Sequence, residues 1–301
     1  MRGAGNAGAV TRFSLVMATR GRTTEIAAFL DSLLAQGEAG AEVIVVDQNG
    51  DDRLVTVLAP YEGRVAIRHL RSAVANANHA RNLGLRAARG EIVGFPDDDC
   101  LYPPGLLGRV AAAFTADPAL MLLTGPAESP SGGLGSGRWR EAGGPIDAAS
   151  VWTSVIEFNL WLQRPVALAL GGFDEAMGPG TPLGSCEGND LVLRAVSAGH
   201  KAQYDPGLRV IHPDKRLTDV AVARARLYGR GFGYALRRHR VPASVWLPFA
   251  LRPVGGVALS LLRLRPHEAG YYAMTLLGRA EGFLRRDATS GRMRPAIAGE
   301  A

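Results

Sequence analysis

From Phe13 to about Pro126 the chain alternates short apolar, β-branched runs with longer stretches of helical periodicity. That alternation is the pattern of parallel strands joined by helical crossovers. Strands are expected at Phe13 to Ala18, Glu42 to Val46, Val65 to Leu70, Glu91 to Phe95 and Leu120 to Thr124. Between them, Thr24 to Leu34 sets Ile26, Phe29, Leu30, Leu33 and Leu34 on one stripe, with Thr23 or Thr24 as N-cap. Ala77 to Ala88 and Pro104 to Ala116 read as further helices, the latter opening on a first-turn proline. Ser129 to Gly144 is rich in Gly, Ser and Pro and reads as a surface loop. Beyond it, Val155 to Gln163 reads as a strand, Pro165 to Leu170 and Asn189 to Ala198 as helices, and Lys201 to Tyr204 and Arg209 to Ile211 as strands. With 301 residues, 47% of them hydrophobic, the chain accommodates one large α/β domain and an appendage.

In an open parallel sheet, ligands bind beyond the C-terminal ends of the strands. Here those ends are polar: Thr19-Arg20-Gly21-Arg22, Asp47-Gln48-Asn49-Gly50-Asp51-Asp52, and the triplet Asp97-Asp98-Asp99 after an apolar run. Three adjacent carboxylates at a buried strand end are costly without a cation. Oxygen ligands of this kind suit Mg²⁺ or Mn²⁺, which take part of their coordination from substrate phosphates. The triplet therefore points to a nucleotide-diphosphate substrate; the competing reading is a solvated acidic turn or N-cap before Pro103-Pro104.

Taken in order, Val16-Met-Ala-Thr-Arg20, Val45-Val-Asp-Gln-Asn-Gly50, Ala80-Arg-Asn-Leu-Gly84, Gly90-Glu-Ile-Val-Gly-Phe-Pro-Asp-Asp-Asp99, Gly171-Gly-Phe-Asp-Glu175 and Glu187-Gly-Asn-Asp-Leu-Val-Leu-Arg194 resemble the family 2 glycosyltransferases over roughly Phe13 to His212. The resemblance implies a GT-A fold and transfer, usually inverting, of a sugar from a nucleotide diphosphate to an acceptor. It assigns Thr19 and Arg20 to the first nucleotide-binding loop and Asp47 to the pyrimidine base, whose N3 proton a carboxylate accepts. A UDP- or dTDP-sugar is thereby favoured, against a reading of Asp47 as a local turn residue. Arg81 matches a basic residue near the nucleotide or its phosphates; a solvated helix arginine is the competing reading. Asp97 and Asp99 match the Asp-x-Asp motif, with Asp99 the direct metal ligand and the earlier carboxylates, Asp98 among them, near the ribose. His212 matches a position near the metal or phosphates; on residue type alone, a structural histidine is the competing reading.

Inverting transfer needs a base for the acceptor hydroxyl. Glu187 and Asp190 are the candidates: Glu187, just before the expected helix, is preferred as the base, and Asp190, in its first turn, also reads as a charge that favours the positive helix end. The resemblance implies Glu-Asp and then a further acid, but Gly188 stands where the second acid belongs. Asp174 reads as a sugar contact, against a reading of Gly171-Gly172 as a helix end that positions the loop, and Ala176 to Ser185 reads as a mobile acceptor lid.

The expected organisation is a flexible N-terminus (1–12), a nucleotide-sugar half (13–126), an acceptor half (127–213) and a basic helical extension (214–301). Lys215 to Arg265 holds eleven Lys or Arg against the single acid Asp219, a local +10 in a chain of net charge +6. Val241 to Leu262 is apolar but interrupted by Pro242, Pro248, Arg252 and Pro253, unlike a membrane span of about 20 unbroken residues. Two readings stand. In one it lies in a membrane plane with Trp246 and Phe249 inserted and Arg237, Arg238, Arg240, Arg263 and Arg265 on lipid phosphates; in the other it packs on the catalytic domain. Met1 to Arg12 lacks a secretory core, and Cys100 and Cys186 have no metal-site spacing, so a cytoplasmic protein with unpaired cysteines is expected. The expected partners are a nucleotide-sugar donor and a saccharide or lipid-linked acceptor, with an anionic membrane surface alongside. Nucleic-acid binding ranks last, for lack of interleaved aromatics. A transferase-like subunit that binds nucleotide sugar without turnover is the alternative to an enzyme.

Overall fold

Parallel strands covered on both faces are apolar at nearly every position, and β1 (Phe13–Thr19) and β2 (Ala41–Asp47) meet that condition. The computed structural model describes residues 12–37, 40–214 and 218–285. Met1 to Thr11, Lys215, Arg216 and the end of the basic extension lie outside the described residues. In chain order there follow α1 (Thr24–Leu34), α2 (Arg53–Leu58), β3 (Ala66–Arg71), α3 (Ala77–Ala87), β4 (Ile92–Gly94), α4 (Leu106–Ala116), β5 (Leu120–Thr124), β6 (Ala127–Glu128), β7 (Gly144–Pro145), β8 (Leu160–Gln163), α5 (Arg164–Ala169), α6 (Glu187–Ser197), β9 (Lys201–Tyr204), β10 (Val210–Ile211), α7 (Asp219–Arg238), α8 (Ala243–Leu262) and α9 (Pro266–Leu284).

Eight strands form one sheet in the order β3-β2-β1-β4-β8-β5-β9-β7, and β10 pairs with β6. The pairs β3-β2, β2-β1, β1-β4 and β5-β9 are parallel, whereas β8 runs antiparallel to both β4 and β5 and β7 antiparallel to β9. A strand from beyond residue 127 is thus inserted between two from before it. One apolar core gathers Phe29, Leu30, Leu107 and Trp161 on one side of the sheet, and the other gathers Val16, Val46, Leu160 and Leu191. Helix α1 buries Ile26, Phe29, Leu30 and Leu33 as its spacing predicts, but its N-cap Thr23 makes no side-chain hydrogen bond.

Three boundaries differ from the sequence reading in ways that matter for the site. The strand expected from Val155 begins only at Leu160, because Val151–Thr153 and Glu157–Asn159 form 3₁₀ turns. Asn159 explains this turn: its amide donates to the Pro126 and Leu208 carbonyls at 3.0 and 2.7 Å, pinning the chain before it joins the sheet. The helix expected from Asn189 starts at Glu187, which makes Glu187 its first residue rather than a loop residue ahead of it. The helix expected from Pro104 starts at Leu106, after Gly105 in the left-handed region.

The extension is a three-helix unit. Helices α7 and α9 meet backbone to backbone: a Cβ at Gly229 or Gly233 would strike the α9 backbone at Thr275 and Arg279, and one at Gly278 or Gly282 would strike Arg226 and Arg230 of α7. Glu281 receives both Arg226 and Arg230. Contrary to the sequence reading, α8 is not broken at Pro248 or Pro253. It is, among the described residues, the one helix long and apolar enough to cross a membrane. Its aromatic residues face inward: Trp246 packs on Phe283 and Phe249 on Phe232, with ring centroids 5.8 Å apart in each pair. The outward face instead carries Leu247, Leu251, Val254, Leu259, Leu261 and Leu262.

Candidate active site

The ends of β1, β2 and β4 lie side by side, because these strands are neighbours in the sheet. Thr19, the last residue of β1, donates its hydroxyl to Asp98 at 2.7 Å. Gly21, at φ 82°, turns the chain so that Arg22 reaches back over the triplet, with its Nε 3.2 Å from Asp98 and a terminal nitrogen 2.6 Å from Asp99. Arg81, buried on α3, reaches Asp97 at 2.9 Å. From the far side His212, just after β10, places Nε2 3.2 Å from Asp99 and 3.9 Å from Asp97.

Charges in this cluster are finely opposed. Burial pushes the Asp98 carboxyl up to about 6, with Asp97 and Asp99 adding to the effect and Thr19 and Arg22 opposing it. Burial also works against ionised Asp99, but the hydrogen bond and charge of His212, together with Arg22, bring it below the carboxylate range. His212 is raised: burial opposes its charge, and the two aspartates more than offset that. One ligand atom each from Asp97, Asp99 and His212 lies within 4.8 Å of the others, close enough to hold a metal ion. His212 Nδ1 faces the Pro213 carbonyl at 2.8 Å, which leaves Nε2 turned toward the carboxylates, the orientation a metal-binding imidazole needs. Two carboxylates and an imidazole fit a divalent ion such as Mn²⁺. Phe158 stacks on the His212 ring, with centroids 4.4 Å apart and planes 6° from parallel.

At the end of β2, Asp47 is fully buried. Its carboxylate accepts both nitrogens of Asn49, at 2.8 and 2.7 Å, and lies 2.9 Å from His69 Nε2, with Arg71 at 3.5 Å. Of roughly four acceptor positions on a carboxylate, three are taken and the fourth faces Arg71.

Across Arg81 from the triplet stands a second acidic group. Glu187 is 3% exposed and 3.4 Å from Arg81. Burial pushes its carboxyl up to about 8, the nearby Glu157 adds to this, and Arg81 opposes it. Glu157 accepts the Gly188 backbone N–H at 3.2 Å. Asp190, the other candidate base, is fully buried and tied to Arg194 at 2.8 Å, His239 at 2.9 Å and Arg238 at 3.4 Å. Burial works against its charge, but the His239 bond and the two arginines hold it below the carboxylate range. Asp190 thus fastens α7 to α6 and has no free face for an acceptor. Asp174 is likewise engaged by Arg238, which removes that arginine from any lipid-facing role.

Residues 14–161 match the family described as Glycosyl transferase family 2. Over these residues, just under half of its length, the chain carries a glycosyl transferase family 2 sequence. Among similar proteins, an uncharacterized glycosyltransferase of Haemophilus influenzae is 28% identical over 115 residues, covering 38% of this chain and 38% of its own length. The uncharacterized glycosyltransferase EpsJ of Bacillus subtilis is 39% identical over 82 residues, covering 27% and 24%. The matches thus span well under half of these relatives. In fold the chain resembles the mannosyltransferase PcManGT of Pyrobaculum calidifontis, solved with GDP-Man and Mn²⁺ (TM-score 0.64, 18% identity, 91% of this chain and 88% of that one). It also resembles S. aureus TarS 1-349, solved with UDP-GlcNAc (TM-score 0.58, 17% identity, 90% and 91%). The fold is GT-A: a mostly parallel sheet with flanking helices and a helical C-terminal region.

Of the residues singled out in the sequence, Thr19, Arg81, Asp97, Asp98, Asp99 and His212 come together in one cluster, and Glu187 stands on its other side through Arg81. Arg20 does not join: it is exposed, and among the described residues its side chain makes no hydrogen bond or ion pair. In the same loop, Arg22 is the arginine that pairs with the triplet. Glu157 had no signal in the sequence, since it lies 31 positions from the glycine whose N–H it accepts.

Proposed function

We propose that the protein is an inverting, metal-dependent glycosyltransferase that moves a sugar from a nucleoside diphosphate to an acceptor hydroxyl. The convergence of Thr19, Arg22, Arg81, Asp97, Asp98, Asp99 and His212 on one sheet edge carries this reading. Asp97, Asp99 and His212 would hold Mg²⁺ or Mn²⁺, which would supply charge neutralisation to the departing diphosphate. Arg22 and Arg81 add fixed positive charge where negative charge grows on the leaving oxygen. A uridine or thymidine donor is favoured through the acceptor position of Asp47 that Arg71 now covers. Arg71, 42% exposed, lies 3.5 Å from Asp47 and holds Asp52 at 2.6 Å, so it can keep that exposed partner while a base N3–H takes its place on Asp47.

The acceptor is proposed to be a saccharide or lipid-linked hydroxyl compound of cell-surface polysaccharide or glycolipid synthesis, met at the cytoplasmic face of the membrane. The support is α8, whose outward leucines lie beside exposed Arg252, Arg263 and Arg265, as an in-plane helix on anionic lipid requires. A second reading, nucleotide-sugar binding without turnover, is favoured by one observation, the lack of an acid at Gly188. A thermal-shift screen of UDP-, dTDP- and GDP-sugars with Mn²⁺ or Mg²⁺, paired with nucleoside diphosphate release, tests both. Metal-dependent stabilisation with release supports the enzyme, and stabilisation without release supports the binding subunit. A donor response undiminished in Asp99→Ala would remove the proposed metal site.

A further inference from the structure

The second acidic group departs from what residues 187–190 imply by themselves. Glu187 lies at the start of α6 beneath the 176–186 loop: a Cβ at Gly178 would come within 2.9 Å of its carboxyl carbon and Oε1. An acceptor hydroxyl cannot reach a carboxyl sealed in this way. A Cβ at Gly188 would in turn lie 2.9 Å from Glu157 Oε1 and 3.1 Å from its Cγ. The Glu157 carboxylate thus fills the volume into which a side chain at 188 would grow, and it is held there by the Gly188 N–H at the positive end of α6.

Glu157 is half-buried, not sealed. The next residue, Phe158, stacks on His212 of the metal cluster. Arg81 feels the charges of Asp97, Glu187 and Glu157 together, and so does Tyr228 of α7. Through the Gly188 N–H, Glu157 adjoins Glu187, which stands across Arg81 from Asp97.

We propose that Glu157 is the catalytic base, accepting the proton of the attacking hydroxyl from the position that an acid at 188 would otherwise serve. The proposal rests on the transfer reaction above. In the step, the acceptor O–H gives its proton to the Glu157 carboxylate while the oxygen forms a bond to the anomeric carbon. The bond from that carbon to the diphosphate oxygen breaks, and its electron pair leaves with the nucleoside diphosphate. Protonated Glu157 then returns its proton to water. Glu187, raised by burial and by Glu157 itself, keeps its proton near neutrality and so is the member of the pair unsuited to this task.

The test uses the full chain with Mn²⁺ and a panel of UDP-glucose, UDP-GlcNAc and GDP-mannose. Donor binding is read by calorimetry, and nucleoside diphosphate release to water as acceptor is read by rate. Glu157→Gln should lower release by about 100-fold or more while donor affinity stays within about twofold. Glu157→Asp, which keeps a carboxylate, should retain more activity than Glu157→Gln. The double variant E157A/G188D, which empties the space and refills it from position 188, should restore release to within about tenfold of the wild type and decides the matter if Glu157→Gln does not fold. Release by Glu157→Gln within about threefold of wild type, loss of donor binding along with release, or a double variant at background overturns the proposal. A wild-type protein that neither binds nor turns over any donor overturns the transfer reading as well. The two failures are distinct, because the first is read only against an active wild type.

Discussion

Replacing Glu187 with Gln should make the protein more stable at alkaline pH, although it removes an acidic partner of Arg81. In the unfolded chain a glutamate loses its proton near pH 4.5; in the folded protein Glu187 keeps it up to about 8. Between those values folding takes up a proton, so stability is fully present below the unfolded pKa and is lost as pH rises through the folded one. A displacement from 4.5 to about 8, at about 1.36 kcal/mol per pH unit, amounts to roughly 3–5 kcal/mol. Glutamine has the shape of the protonated acid and does not titrate. Urea unfolding of both proteins at about pH 4, 6, 7 and 8.5 should give nearly equal stabilities at the acid end. The variant should then gain by up to about 1.4 kcal/mol per unit as pH rises, reaching the full difference near pH 8.5. Taking the difference between the two proteins cancels other titrating groups, Asp98 among them. Curves that stay parallel, or a variant less stable throughout, would refute the reasoning that burial holds Glu187 neutral and would return it to candidacy as the base.

Asp190→Asn leaves Arg194, Arg238 and His239 facing a neutral amide, and breaking a buried pair costs about 3–5 kcal/mol; denaturant unfolding should show that loss, with α7 exchanging its amides faster than the sheet. Asp47→Asn should weaken binding of a UDP-sugar by about tenfold or more, the worth of one hydrogen bond to a charged group, and Arg71→Ala should leave or improve it; equal effects on UDP- and GDP-sugars in calorimetric titrations would end the base-recognition reading. Leu251→Glu with Leu259→Glu should release the protein from phosphatidylserine vesicles in a flotation assay while changing its stability by less than about 0.5 kcal/mol each, since both side chains are exposed.

The donor-side cluster was legible because parallel strands leave their loops on one edge, so residues at strand ends must meet once the strands are recognised. Loop geometry within that edge was not legible: the positive φ of Gly21 decides that Arg22, and not Arg20, covers the triplet. The acid-base side was harder to read. Asp190 has the spacing of a catalytic acid on α6, yet its partners Arg238 and His239 come from α7, nearly fifty positions later. In α8, composition identified an apolar helix but not its orientation, and α7 and α9 supply the rings, Phe232 and Phe283, against which Phe249 and Trp246 pack.

By itself the sequence determined the alternation of strands and helices, the polar strand ends and the acidic triplet, because these follow from local periodicity and residue chemistry. Only the tertiary structure decided which carboxylates are free to act. Whether an acid is sealed, paired or open depends on neighbours brought from distant segments: Gly178 closes over Glu187, α7 neutralises Asp190, and the 3₁₀ turn ahead of β8 delivers Glu157 to the space left by Gly188.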